Sequence, residues 1–419
     1  MYKKFFICIF VLTAIFACSE DDVVEPVHVR RTIIAYITAD NNISSQLQDD
    51  VTEMIEGSKS LPGDCRLILF NDNDGDGENG GRPYIAEIKN GSKTVLRQYA
   101  NDFYSTSADQ MVDVMQYIVD QCPADEYALI LTGHGSGSLV NEDTIPTTKY
   151  TKLYAYGGDI NGGSTSSIYK WMNIPSIATV LSNLKDKNGS SIHFDYIFFD
   201  CCCMQSVEVA YELRNYTDYI IAPASETPAK GAPYTSVVPI LGNKKDGIGA
   251  EIINQYIENT NWGKTGGIAI SAVKTSEVHR LMELTRYALQ TIYDGNTLVM
   301  NTSNCIYYYR GEESGNSPVL YDMKNLMLIN LTDNNLYAAW LEQFNKTVVA
   351  KHSPIASTPW YTNIDINFYA FNVTEENYGG MSMFVPRAVY DIFPTYQSLN
   401  QTMFSLEWTN AVGWKELGW

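Results

Sequence analysis

The sequence predicts an α/β fold: a mostly parallel sheet with helices on both faces, plus a smaller C-terminal α+β part. Three observations predict it. Short continuous apolar runs recur, as in Tyr127-Ala-Leu-Ile-Leu and Phe194-Asp-Tyr-Ile-Phe-Phe, which is the pattern of strands buried on both faces. These runs alternate with stretches of helical periodicity. The 419 residues, 45% of them apolar, suffice for one large domain with additions.

The N-terminus is set apart from the fold. Lys3 and Lys4 form a positive region, and Phe5 to Phe16 an apolar core too short to span a bilayer as a mature helix. Ala17 followed by Cys18 resembles a bacterial lipobox, in which the Cys carries the lipid after cleavage. The run Ser19-Glu20-Asp21-Asp22 resembles the export signal of Bacteroidetes surface lipoproteins. Residues 1–17 are therefore expected to be a lipoprotein signal peptide, weighed against an ordinary secretory signal, and 18–30 a tether. The expected location is the outer membrane, facing the cell surface, with the periplasmic side as the alternative. Acyl chains hold such a chain because each buried CH₂ contributes about 0.8 kcal/mol.

After the tether, the first strand is expected at Thr32 to Thr38, ending in Asp40-Asn41-Asn42, and the second at Arg66 to Phe70. Tyr84 to Ile88 and Lys93 to Tyr99 alternate around Asn90-Gly91, a hairpin signal. Ser107 is placed to cap the next helix, with Gln110 completing a capping box, and Met111, Val114, Met115, Ile118 and Val119 form its buried stripe. A strand ending in Gly133-His134-Gly135 follows. Ser136 to Ser167, rich in Gly, Ser and Thr, reads as a long loop. A helix near Ile174 to Leu184 leads to a second short strand, which ends in Asp200-Cys201-Cys202-Cys203. Then come a helix (Ser206 to Leu213), a strand (Tyr219 to Ala222), a helix (Gly249 to Glu258) and a strand (Gly267 to Val273). Residues 31–299 are read as the main domain and 300–419 as a subdomain packed on it. The latter has a helix near Leu336 to Val348 and strand candidates at Ile364 to Phe371 and Gly380 to Val385.

Open parallel sheets collect their chemistry just past the carboxyl ends of the strands. Neighbouring strands ending in His134 and Cys202 would set an imidazole beside a thiol, a cysteine nucleophile with its base. The net charge of −19 excludes nucleic acid as a partner, since phosphate affinity needs a basic face. The other cysteines do not read as a disulfide framework, and there is no Cys-x-x-Cys or His-x-x-x-His pair for zinc. Asp72-Asn-Asp74-Gly-Asp76-Gly77 resembles the start of a calcium loop, but the twelfth position is Pro83 and not Glu. A loose calcium site there is weighed against a flexible acidic turn, which is preferred. His28, His193, His279 and His352 are read as structural or solvated, and the Asn-x-Ser/Thr sequons as silent in a bacterial lipoprotein.

Asp200-Cys-Cys202-Cys-Met204 with Ser206-Val-Glu-Val-Ala-Tyr-Glu-Leu213 resembles the clostripain family of cysteine peptidases, in the clan of caspases, legumain and gingipains. Ala35-Tyr-Ile-Thr-Ala-Asp-Asn-Asn42 is similar to the family's opening strand. Ala224-Ser225-Glu226 with Pro228, Gly231, Pro233 and Tyr234 is similar to the loop bordering its substrate pocket. A weaker echo lies at Gly380 to Pro386. The likeness spans roughly residues 30 to 280.

The resemblance implies a caspase-like fold and a cysteine endopeptidase working by a dyad, His134 and Cys202. Main-chain N–H groups of Gly135 and Cys202 would hold the oxyanion. Asp200, with Ser225 and Glu226 as further pocket residues, implies protein or peptide substrates with Arg or Lys at P1. No cofactor beyond the weak calcium candidate is implied. Cys201 and Cys203 depart from the family's Ala and Leu and are expected to be buried packing residues. Gln205 departs from a small residue. The family's habit of self-processing implies a cut in the loop after His134, at Lys149 or Lys152, weighed evenly against a covering loop that carries two lysines. The competing reading is a catalytically silent scaffold lipoprotein that keeps the fold.

Overall fold

In the computed structural model, residues 27–74, 78–139, 156–160, 169–259, 268–310, 317–352, 372–391 and 399–419 are described. Strand β1 (Val29–Ala39) is followed by helix α1 (Ser44–Gly57), β2 (Cys65–Asn73), and the hairpin β3 (Tyr84–Lys89) and β4 (Ser92–Gln98). Asn90 and Gly91 both have positive φ, 51° and 76°, as a two-residue turn that matches strand twist requires. Helix α2 (Ala108–Gln121) then leads to β5 (Ala124–Thr132). Its stripe is the expected one, but Ser107 makes no side-chain cap. The Ser107 carbonyl instead takes the Met111 N–H, so the backbone alone closes the first turn.

The expected loop from Ser136 to Ser167 needs correction. β6 (His134–Gly135), β7 (Tyr156–Asp159) and β8 (Lys170–Met172) form a small antiparallel sheet, so part of that stretch is strand. After Tyr156, Gly-Gly-Asp disfavours a strand, and Gly157 and Gly158 take φ near +92° and +95°. What makes it a strand is pairing with the histidine segment. Residues 140–155 and 161–168, including Lys149 and Lys152, lie outside the described residues, as do Cys18, Asp76 and the candidate strand 364–371.

Next come α3 (Ile174–Asn183), β9 (Phe194–Asp200), α4 (Val207–Leu213), β10 (Tyr219–Pro223), α5 (Tyr234–Val237), α6 (Lys245–Asn259) and β11 (Ile270–Lys274). Helix α7 (Val278–Ile292) has no counterpart among the expected elements, although Val278, Leu281, Met282, Thr285, Ala288 and Leu289 give it a buried stripe. Beyond it lie β12 (Tyr307–Arg310), β13 (Pro318–Asp322), α8 (Met323–Asn330), α9 (Asn334–Thr347), β14 (Val348–Lys351) and β15 (Ser382–Phe384).

The main sheet has the order β14-β11-β10-β9-β5-β1-β2-β3-β4. Its centre, β10 to β2, is parallel, and the strands outside it pair antiparallel. Alternate residues of β1 face opposite layers. Ile34 and Tyr36 pack with α2 and α3, while Ile33, Ala35 and Ile37 pack with α1, α5 and α6. The chain after 300 both builds the sheet β12-β13-β15 and returns β14 to the edge of the main sheet. It meets the centre through Ser382, whose N–H donates to the Gln205 carbonyl, and Phe384, whose N–H donates to Glu208 Oε1 at 2.7 Å. Among the described residues, no helix is long and apolar enough to cross a membrane.

Candidate active site

β5 and β9 are adjacent parallel strands, with Thr132 in register with Asp200. Their carboxyl ends therefore deliver Gly133-His134-Gly135 and Cys201-Cys202-Cys203 to one place. The two turns lie in close contact. A Cβ built on Gly135 would fall 2.6 Å from the Cys202 carbonyl oxygen and 2.8 Å from Cys201 Cβ. One built on Gly137 would fall 2.7 Å from the Cys203 carbonyl oxygen. Only hydrogen at these positions lets the histidine segment lie against the cysteine turn. The main chains of Gly135 and Cys202, expected to hold an oxyanion, are thus side by side.

His134 is half-buried and hydrogen-bonded at 2.8 Å to Asn42 Oδ1. An amide oxygen only accepts, so Nε2 carries the proton and Nδ1 is left unprotonated. Trp171 stands beside the imidazole, ring centroids 5.8 Å apart. Burial pushes the imidazole down to about 4.

Cys202 is half-buried and its thiol meets Thr227. The Thr227 N–H donates to Sγ at 3.3 Å, and the thiol lies 3.6 Å from the Thr227 carbonyl and hydroxyl oxygens. Burial, joined by the negative charge of Glu226, pushes the thiol up to about 11 against those hydrogen bonds. Both partners are therefore neutral at pH 7 in this state.

The neighbouring cysteines have other work. Cys201 is buried and donates to the Leu131 carbonyl at 3.1 Å. Cys203 is buried among Leu139, Leu320 and Phe384, with φ of 62°, a left-handed conformation uncommon outside glycine. The three side chains thus leave the turn in different environments, and only Cys202 reaches the surface. Cys65, Cys122, Cys201, Cys202, Cys203 and Cys305 are all free thiols.

Asp200 is buried beneath this turn. Its Oδ2 accepts from the Ala232 N–H at 2.8 Å and Tyr234 Oη at 3.0 Å, and its Oδ1 from Tyr256 Oη at 3.1 Å. Burial still raises its pKa. Ser225 is buried, and its hydroxyl accepts from the Ala269 N–H while its carbonyl accepts from the Cys203 N–H. It fixes the pocket loop to the nucleophile turn from behind. Glu226 is half-buried and near enough to Cys202 to act on its thiol. Gln205 donates to the Ser271 carbonyl and hydroxyl, both at 2.9 Å, which ties the turn to β11.

Asn42, Thr227, Gly137 and Glu208 are functional neighbours that sequence reading did not single out. Asn42 had a signal, as it closes the Asp40-Asn-Asn42 motif at the end of β1. Glu208 had none. It is buried, accepts from Ser138 Oγ at 3.4 Å and from the Phe384 N–H, and burial raises it to about 7.

Of the acidic turn, Asp72 lies in β2 and Asp76 lies outside the described residues. Asp72 is fully buried, and burial and the charge of Asp159 push it well up. Among the described residues, no group of three or more His, Cys, Asp and Glu is arranged to hold a metal ion. The remaining histidines lie elsewhere: His28 pairs with Asp125, His193 with Asp218, and His279 stacks on Tyr211.

A family model described as the clostripain family matches residues 35–418. Clostripain of Hathewaya histolytica is 25% identical over 201 residues, which cover 44% of this chain but only 36% of that protein. A secreted C11 cysteine protease of Bacteroides thetaiotaomicron, solved with an irreversible peptide inhibitor, is 26% identical with a TM-score of 0.71, covering 92% of this chain and 99% of that one. An inactive zymogen C11 protease of Parabacteroides distasonis shares the fold, with a TM-score of 0.70 at 23% identity over 93% of this chain and 99% of that one. The chain belongs to the clostripain family of cysteine peptidases, hydrolases that cut peptide bonds with a cysteine nucleophile.

Proposed function

We propose that this protein is a surface-anchored endopeptidase that cleaves after Arg or Lys with the dyad Cys202 and His134. The observation that carries the reading is the apposition of the two strand ends, with Gly135 packed on the Cys202 peptide. A carbonyl seated there meets a thiol, an imidazole and two main-chain N–H groups. His134 Nδ1 takes the thiol proton as Sγ attacks, because both groups start neutral, and returns it to the leaving amine. Asn42 holds the Nε2–H and so keeps the ring in that tautomer. Water then releases the acyl group from Cys202, with His134 acting as base.

Support for a basic P1 residue comes from Asp200, a buried carboxylate two residues before the nucleophile. The curated relative is itself a clostripain, matched over about a third of its length. Support for anchoring comes from the sequence alone, in Lys3, Lys4, the apolar run and Cys18. Metabolic labelling with a fatty acid tests it: wild type takes up label and Cys18→Ala does not. Peptide substrates that differ only at P1 test the specificity. Hydrolysis of Arg and Lys peptides but not of neutral ones supports it, and equal rates refute it.

A further inference from the structure

Helix α1 buries one face through Leu47, Asp50, Val51 and Met54, spaced as a helical stripe. Asp50 is the anomaly on it. An aspartate at a core position breaks the local rule, and such breaks concentrate where function requires them. It is 1% exposed, and its Oδ2 has no hydrogen-bond partner. An orphaned buried carboxylate oxygen costs stability unless something pairs with it.

Its neighbour is the carboxylate of Asp200. Both converge on Gly231, whose φ is +64°. A Cβ built there would fall 2.8 Å from Asp200 Oδ2, 3.2 Å from Asp50 Oδ2 and 3.4 Å from Asp50 Oδ1. Asp200 already accepts three hydrogen bonds, from Ala232, Tyr234 and Tyr256. A carboxylate offers about four acceptor sites, so little capacity remains on it for an incoming cation. Asp50 Oδ2 has all of its capacity unspent. Around Asp50, burial and the charges of Asp200, Glu53 and Asp49 all disfavour ionisation, and Lys230 alone relieves them.

We propose that Asp50 is a second carboxylate of the P1 pocket, and that it takes the far end of a substrate Arg side chain beside Asp200. The inference rests on the basic-P1 reading above. A guanidinium suits the pair because its planar fork donates along more than one edge, so two carboxylates can share one cation. A Lys ammonium is a compact charge and gains less from the second acceptor. The loop around Gly231 lies over both carboxylates and must shift to admit the side chain.

The experiment compares wild type, Asp50→Asn and Asp200→Asn on peptides with Arg, Lys or citrulline at P1, citrulline being the neutral isostere of Arg. Wild type should favour Arg over citrulline by more than a hundredfold. Asp50→Asn should cut kcat/KM for Arg by about thirtyfold, chiefly through KM, with a smaller loss for Lys and none for citrulline. An Asp50→Asn protein that kept the wild-type ratio of Arg to citrulline would overturn the inference and leave the basic-P1 reading intact. A wild type without preference for Arg or Lys would overturn that reading first. Thermal melting supplies the second measurement. Removing one of two facing carboxylates should leave Tm equal or higher, and a fall of several degrees would show Asp50 to be a paired structural residue, which also overturns the inference.

Discussion

At the scale of single residues, the site is a resting state. A thiol pushed up to about 11 and an imidazole pushed down to about 4 do not form a thiolate–imidazolium pair at pH 7. Alkylation of Cys202 by iodoacetamide should therefore climb with pH beyond 9, since only the thiolate reacts. A preformed ion pair would give a plateau from mildly acidic pH upward, which would contradict this account. Asn42→Ala should lower kcat about tenfold with KM little changed, as the imidazole loses one hydrogen bond and its fixed tautomer, a loss of ~1.4 kcal/mol. A simple structural role would leave the pH profile of kcat/KM in place, whereas freeing Nε2 should move its limb on the histidine side.

At the scale of elements, the histidine segment and the cysteine turn act as one unit. Gly135→Ala should make the point, because its Cβ would meet main-chain oxygen at 2.6 Å, which has no rotamer to escape through. Overpacking of this kind costs about 1–3 kcal/mol, roughly 1–3 °C in Tm for a chain of this size. Turnover should fall at least a hundredfold, since the displaced atoms border the nucleophile. A Gly135→Ala protein with wild-type kcat would contradict the packing. Self-processing is a second element-scale prediction, carried by the sequence. Wild type should yield two fragments, with a new N-terminus at Tyr150 or Leu153, and Cys202→Ala one intact chain by mass. An active, uncut wild type would refute it.

Much of this unit was legible in the sequence. Apolar strands such as Ile33 to Ile37 and Phe194 to Phe199 declare themselves through continuous burial, and Asn90-Gly91 through turn chemistry. The meeting of His134, Cys202 and Asp200 at adjacent strand ends was legible, because the apolar runs that carry them read as neighbouring parallel strands. The β7 strand was not, because pairing and not propensity forms it. Thr227 and Asp50 were not, because each acts through a partner far away in sequence. An aspartate on the α1 stripe was the one visible irregularity among them.

At the scale of the molecule, the sheet buries an unusual set of carboxylates. Burial raises Asp50, Asp72, Asp195, Asp200 and Asp322, and brings Asp102 and Glu212 to about 6 and Glu208 to about 7. Between the unfolded value near 4 and these raised values, the folded state holds more protons than the unfolded one. Stability is then lost as pH rises through the window, with Glu208 alone accounting for roughly 3 kcal/mol. His134, pushed down to about 4, and His352, also pushed down, act oppositely below their unfolded value near 6.5, but they are fewer. The melting temperature should be higher at pH 5 than at pH 7.5. A rise in Tm from pH 5 to 7.5 would contradict this reading of the buried acids.

The central claim is that Cys202 attacks with His134 as its base. The most direct measurement is turnover of a fluorogenic Arg substrate by wild type, Cys202→Ala, His134→Ala, Cys201→Ala and Cys203→Ala, with an acyloxymethyl-ketone substrate mimic mapped to its modified peptide. The account predicts activity in wild type, its loss in the first two variants, most of it retained in the last two, and label on Cys202. Label on Cys201 or Cys203, or full turnover by Cys202→Ala, would contradict it.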